Sequence, residues 1–269
     1  MIKDIEKLIG TITAEIKSFT DIAVIGLSGG ADSSLVATLC TKALGPENVH
    51  GLHLPHNPTD EQTFNSRSKK LAAKLDICDH TIPIRDTYNP LEQSIHVNVG
   101  ELSTLNKGNI RARIRMTILY STAHYLSDTL NRRTRVIGTG NLSEDFIGYD
   151  TKGGDALADI FPIGELYKSE IYQLLEYFVK ERTLDEALID RTPSAGLWEG
   201  QTDEQEIGYT YNEMEQSIRK IRDPGTGLIL KNIDISSLTE LDRFVLNRHL
   251  ANAHKHLPPP VTKLRKFCD

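Results

Sequence analysis

Residues Val24 to Ser34 read Val-Ile-Gly-Leu-Ser-Gly-Gly-Ala-Asp-Ser-Ser, a short apolar run that stops at a Ser-Gly-Gly turn and restarts as a helix with an early carboxylate. The apolar run suits a buried strand. The paired glycines let backbone N–H groups close on an anion, and the N-terminus of the following helix adds partial positive charge. Oxygens of a di- or triphosphate suit that place. Asp32 would repel them unless a divalent cation lay between, so the same stretch implies Mg²⁺.

The turn is neither a Walker A loop, which needs Gly-x-x-x-x-Gly-Lys-Ser/Thr, nor a dinucleotide fingerprint of the Gly-x-Gly-x-x-Gly kind. A loop of this form without a lysine resembles the pyrophosphate-binding loop of the ATP pyrophosphatase superfamily. That resemblance implies cleavage of ATP between its α- and β-phosphates. The competing reading is an ordinary strand-to-helix turn in which Ser28 or Asp32 only caps the helix.

Downstream the pattern alternates: a helix from about Asp32 to Leu44, a strand at Val49 to Leu54, a helix around Glu61 to Leu75 and a strand near Thr81 to Ile84. A long helix, Ile110 to Leu130, precedes a strand at Arg135 to Gly138, and Ser169 to Lys180 reads as another helix. An amphipathic helix opens the chain, with Ile2, Ile5, Leu8, Ile9, Ile12, Ile16 and Phe19 at helical spacing. Such succession predicts an α/β fold: a doubly wound, mostly parallel sheet with helices on both faces, in one domain over 1–269. Ligands of such sheets bind at the carboxyl ends of strands, where both glycine turns fall. His56 to Asp60, Ile147 to Ala158 and Arg191 to Asp203 read as substrate-covering loops.

The second glycine turn begins Gly138-Thr139-Gly140-Asn141-Leu142-Ser143-Glu144 and is followed by Gly148 to Asp159. Glu144 could complete with Asp32 a two-carboxylate Mg²⁺ site, the remaining positions going to phosphate and water. Spacing alone favours the other reading, a helix-start carboxylate stabilised by the dipole.

Together these segments resemble the ammonia-dependent NAD⁺ synthetases. The ordered set also includes Gly108-Asn109-Ile110-Arg111-Ala112-Arg113, Phe161 to Lys168 and Pro193-Ser194-Ala195-Gly196-Leu197-Trp198 through Glu204. The resemblance implies a ligase that makes NAD⁺ from deamido-NAD⁺, ATP and ammonia through an adenylate, releasing AMP and pyrophosphate. It implies ATP contacts from Gly26, Leu27, Ser28, Gly29, Gly30, Ala31, Asp32 and Ser33, and from Thr139, Lys168 and Ser194. Asp32 and Glu144 match the magnesium ligands, and Arg113, Lys152, Asp159, His254 and Lys255 match positions that hold deamido-NAD⁺. Asp155 matches a residue near the adenylated nicotinate, where a carboxylate could take a proton from ammonium. Lys168 would offset charge on the triphosphate. Two bland roles stay open: Lys168 snorkelling from a helix, and Arg113 sharing a basic helix face with Arg111 and Arg115.

The family further implies a homodimer with sites at the subunit boundary, for which helix Ile110 to Leu130 is the candidate interface. Ser194 stands where the pattern often has threonine, and the hydroxyl survives. Gly140-Asn141 stands where some members have Asp-His, side chains expected to shape adenine or entry-site contacts. No glutamine-hydrolysing module is recognised, so free ammonia is the expected nitrogen donor.

Composition bounds these readings. Across 269 residues the net charge is −6, which disfavours a nucleic-acid partner. No segment approaches membrane-spanning length, and Cys40, Cys78 and Cys268 form no Cys-x-x-Cys pair. A cytoplasmic protein with reduced thiols is expected. His53 and His56 lack a third ligand at useful spacing, so no zinc is assigned. The alternatives are another adenylating ligase, such as a tRNA-modifying one, and an ATP-sensing regulator without turnover.

Overall fold

The computed structural model describes residues 2–56, 58–186 and 202–262, with backbone alone for 58–66. Four strands, β1 (Ile22–Gly26), β2 (Val49–His53), β3 (Cys78–Thr81) and β4 (Thr134–Val136), form a parallel sheet in the order β3-β2-β1-β4. Alternation along a strand sends successive side chains to opposite faces. In β1, Ala23 and Ile25 join a core built with α1 (Ile5–Phe19), α2 (Ala31–Leu44), α3 (Pro58–Leu75) and α7 (Lys168–Lys180). Val24, with Leu52 and Val136, faces α4 (Arg85–Asn98) and α5 (Thr104–Leu130). Both faces are covered, which is why β1 is buried along nearly its whole length.

The chain runs outward from β1 to β3, then returns to place β4 on the other side of β1. That reversal opens a crevice between the carboxyl ends of β1 and β4. A third cluster closes one side of it, formed by α6 (Leu142–Phe146), α9 (Tyr211–Ile221) and α10 (Glu240–Asn252), with α8 (Asp203–Ile207) preceding α9.

Three elements depart from expectation. β3 lies at Cys78–Thr81 rather than Thr81 to Ile84, because Pro83 has no N–H to donate while the polar Cys-Asp-His-Thr run pairs with His50–His53. As an edge strand it needs only one buried face. α4 occupies a stretch for which no element was expected, and it continues through Pro90. α5 starts at Thr104 rather than Ile110, capped by the Ser103 hydroxyl, and runs through the buried Gly108.

Candidate active site

The Ser-Gly-Gly turn expected to hold phosphate forms where β1 ends. Gly29 has φ 72°, a left-handed conformation that glycine adopts without strain. Ser28 Oγ lies 3.0 Å from Ser33 Oγ and accepts the Gly30 N–H at 3.2 Å. α2 has Gly30 as its N-cap and no side-chain cap, so its first N–H groups stay available to an anion.

At the mouth of this loop Asp32, from the first turn of α2, meets Glu144, from α6. Between them lies Lys168, the first residue of α7. Its Nζ donates to Asp32 Oδ2 at 2.6 Å and to Glu144 Oε1 at 2.8 Å, with the lysine side chain 5% exposed. Burial opposes the lysine charge, but the two carboxylates outweigh it and hold its pKa above the usual value. Burial pushes Glu144 up to about 6, against the attraction of Lys168 and with repulsion from Asp32 added. The Lys168 amide donates to Ser143 Oγ at 3.0 Å, and Ser143 donates to the buried Glu215. Asn141 is fully buried; its Nδ2 donates to Asp32 Oδ1 at 3.0 Å and its Oδ1 accepts the Glu144 N–H at 3.1 Å. It therefore orients the Asp32 carboxylate and caps α6, the helix that carries Glu144.

Gly26, Leu27, Ser28, Gly30, Ala31, Asp32, Thr139, Glu144, Asp155, Lys168 and Lys255 line one cleft of about 640 Å³. One part of its wall is apolar, carrying Leu52, Leu54, Pro55 and Met116, with Arg115 Nε donating to Leu54 O at 3.0 Å. A smaller hollow of about 80 Å³ shares lining with the cleft; Ser33, Asp145 and Asp150 border it beside Asp32, Glu144 and Asp155. Burial raises the pKa of Asp155 and pushes Asp145 up to about 8, in the second case against attraction from His256. Asp155 Oδ1 accepts the Thr151 N–H at 3.0 Å.

The dinucleotide positions expected from the sequence divide. Lys255 Nζ donates to the carbonyls of Gly148 and Asp150, each at 2.7 Å, inside the cleft wall. Arg113, Lys152 and His254 do not line the cleft; they form a chain beside it, Arg113 Nε to Lys152 O at 3.2 Å and Lys152 Nζ to His254 O at 2.8 Å. Asp159 Oδ2 accepts the Val136 N–H at 2.8 Å, tying the loop to β4. Ser194 and most of the expected Arg191 to Asp203 loop lie outside the described residues, as does Cys268.

Sequence reasoning missed Asp203 and Tyr211, both buried and both bonded into the carboxylate cluster. Their only local signals are helix caps, Thr202 and Thr210, which mark element starts and carry no chemistry. Among the described residues no helix is long and apolar enough to cross a membrane.

A family model for NAD synthase matches residues 1–259. The chain is 39% identical to the NH(3)-dependent NAD(+) synthetase of Methanosarcina acetivorans over 249 residues, 92% of each protein. It is 35% identical to that of Methanocaldococcus jannaschii over 97% of this chain and 98% of the relative. Among solved structures, an NMN synthetase from Francisella tularensis superposes with TM-score 0.77 at 29% identity, covering 97% of this chain and 100% of that one. An NH3-dependent NAD synthetase from Campylobacter jejuni does so with TM-score 0.71, at the same identity and coverage. With the match running almost end to end and the Ser-Gly-Gly turn, the second glycine turn and Lys168 converging on one cleft, the chain belongs to the NAD synthase family.

Proposed function

We propose that this chain is an ammonia-dependent NAD⁺ synthetase, joining ammonia to the nicotinate carboxylate of deamido-NAD⁺ at the expense of ATP. A carboxylate is a poor electrophile, so its oxygen first attacks the α-phosphorus and pyrophosphate leaves. Ammonia then attacks the acyl carbon of the adenylate and AMP leaves. The observation that carries this reading is the meeting of Asp32, Glu144 and Lys168 at the open N-terminus of α2. A regulator that only senses ATP would have no use for such a buried charge cluster.

The loop N–H groups hold phosphate oxygens, and the apolar wall at Leu52, Leu54 and Met116 suits an adenine ring. Lys168 neutralises charge that builds on the phosphates as the α-phosphorus is attacked. Asp155, buried with its carboxyl held above the usual range, suits the proton from ammonium. Asp32 and Glu144 offer hard oxygen ligands beside the phosphate loop, the donor set Mg²⁺ prefers. Bound there, Mg²⁺ would shield the triphosphate charge. Lys168 would then be free to turn from the carboxylates toward phosphate.

Ser194 supplies a phosphate contact in this reading, while Arg113, Lys152, Asp159, His254 and Lys255 hold the dinucleotide. Arg113, Lys152 and His254 do so from outside the single-chain cleft, which supports a homodimer with α5 at its boundary and each site completed across it. Leu105 and Tyr125 on α5 are exposed, as an interface helix requires. The chain acts as a single domain in the cytoplasm on free ammonia, a setting consistent with the free thiols of Cys40 and Cys78.

The likeness to an NMN synthetase favours one second reading, amidation of the mononucleotide rather than the dinucleotide. Purified protein given ATP, Mg²⁺, ammonium and either deamido-NAD⁺ or nicotinate mononucleotide separates the two. Faster amide formation on deamido-NAD⁺ supports the main reading, and preference for the mononucleotide overturns it.

A further inference from the structure

Tyr211, at the first position of α9, places its hydroxyl between the buried carboxylate of Asp203 and the half-buried one of Glu144. It lies 3.0 Å from Glu144 Oε1 and 2.9 Å from Asp203 Oδ2, and its ring lies under Lys168, whose Nζ is 5.3 Å from the ring centroid. Tyr211 is 5% exposed and Asp203 3% exposed. A phenol has one proton to donate, so Glu144 and Asp203 share a single donor. Glu144 Oε1 is the same atom that accepts from Lys168. Its orientation is therefore fixed from two sides, by Lys168 on α7 and Tyr211 on α9.

We propose that Tyr211 and Asp203 are positioning residues for the Glu144 carboxylate: Asp203 anchors the Tyr211 hydroxyl, and the hydroxyl holds Glu144 where a divalent cation and ATP phosphates meet. Neither touches the reacting atoms in this account. Asp203 opens α8, so the carboxylate end of the site is tied to the segment that leads into the C-terminal helices. Groups that hold a metal-ligating carboxylate set its affinity without ligating, and their loss costs 10–100-fold. The proposal rests on the ligase reading for its turnover test but not for its binding test.

Tyr211→Phe keeps the ring under Lys168 and removes only the hydroxyl. The expected result is a ~10–100-fold rise in the Mg²⁺ concentration for half-maximal rate at saturating ATP, with the KM for deamido-NAD⁺ changed less than twofold. Mn²⁺ binding in the presence of α,β-methylene-ATP, followed by electron paramagnetic resonance, weakens in parallel. Asp203→Ala weakens metal binding in the same direction because the phenol loses the partner that fixes its torsion, Asp203→Asn restores most of it because an amide N–H can donate to the phenol oxygen while the phenol donates to Glu144, and the double variant Tyr211→Phe/Asp203→Ala is no worse than Tyr211→Phe. Unchanged metal dependence in both Tyr211→Phe and Asp203→Ala overturns the proposal, as does equal loss of metal and dinucleotide binding. A wild-type protein that binds Mn²⁺ and nucleotide but makes no amide overturns the ligase reading and leaves this binding comparison standing.

Discussion

Lys168 opens the first turn of α7, the helix end where the dipole disfavours a cation. Its place there makes sense through Asp32 and Glu144, which surround its ammonium. Replacing it by methionine leaves two carboxylates facing each other without a counter-charge. Because each keeps 19% of its side chain exposed, the cost should fall below that of a fully buried broken pair, at about 2–3 kcal/mol. Lys168→Met should therefore lose turnover and melt lower than wild type, and added Mg²⁺ should raise its melting temperature more than that of wild type. Equal Mg²⁺ responses in the two proteins would show that the carboxylates are not released by the substitution. A second titratable contact makes a pH prediction. The Asp150 carboxylate beside His256 Nε2, at 2.5 Å, raises the imidazole pKa above its usual value, against the cost of burial and with repulsion from Lys255. A His pKa raised in the fold stabilises fully below about 6.5 and loses that contribution as pH climbs through the folded value. The stability gap between wild type and His256→Gln should thus be larger at pH 6 than at pH 9 in thermal melts; a constant gap would refute it. At this scale Asp32 stood out by its place in the Ser-Gly-Gly turn, whereas Glu144 and Lys168 were singled out only through the family resemblance, since spacing alone allows a helix-start carboxylate and a snorkelling lysine. Tyr211 and Asp203 were not, because their roles arise only when α9 packs against α6.

The elements that build the site are held by close backbone approach. A Cβ on Gly138 would lie 2.4 Å from Phe161 Cε1 and 2.8 Å from Ala158 Cβ, at the turn that carries Thr139 and Asn141 into the cleft. Gly138→Ala should cost about 1–3 kcal/mol by overpacking. It should also lower kcat by shifting Asn141 against Asp32, as read by denaturant melts and steady-state rates together; wild-type stability would mean that Phe161 yields freely. The strand-turn-helix rhythm through β2 and the start of α2 were readable because apolar runs and glycine turns report local structure directly. α4 and the displaced β3 were not, since Pro90 and the polar Cys78–Thr81 run contradict local propensity and only an edge position and packing reconcile them. Helices α8 to α10 were also unread. Their apolar faces meet one another and α6 rather than the sheet, so no strand alternation announces them.

At the scale of the whole molecule, the parallel sheet with helices on both faces and its crevice at the strand-order reversal followed from the alternation alone. The assembly is a different matter, because the single chain leaves Arg113, Lys152 and His254 beside the cleft rather than in it. If α5 forms the boundary, light scattering should give twice the mass of one chain, and Tyr125→Asp should yield monomer with raised KM for the dinucleotide. A wild-type monomer with full activity would contradict that arrangement. The central claim concerns which bond of ATP breaks. Protein incubated with ATP, Mg²⁺, ammonium and deamido-NAD⁺, with nucleotide and phosphate products quantified by chromatography, should release AMP and pyrophosphate in equal amounts with NAD⁺. Release of ADP and orthophosphate would contradict it.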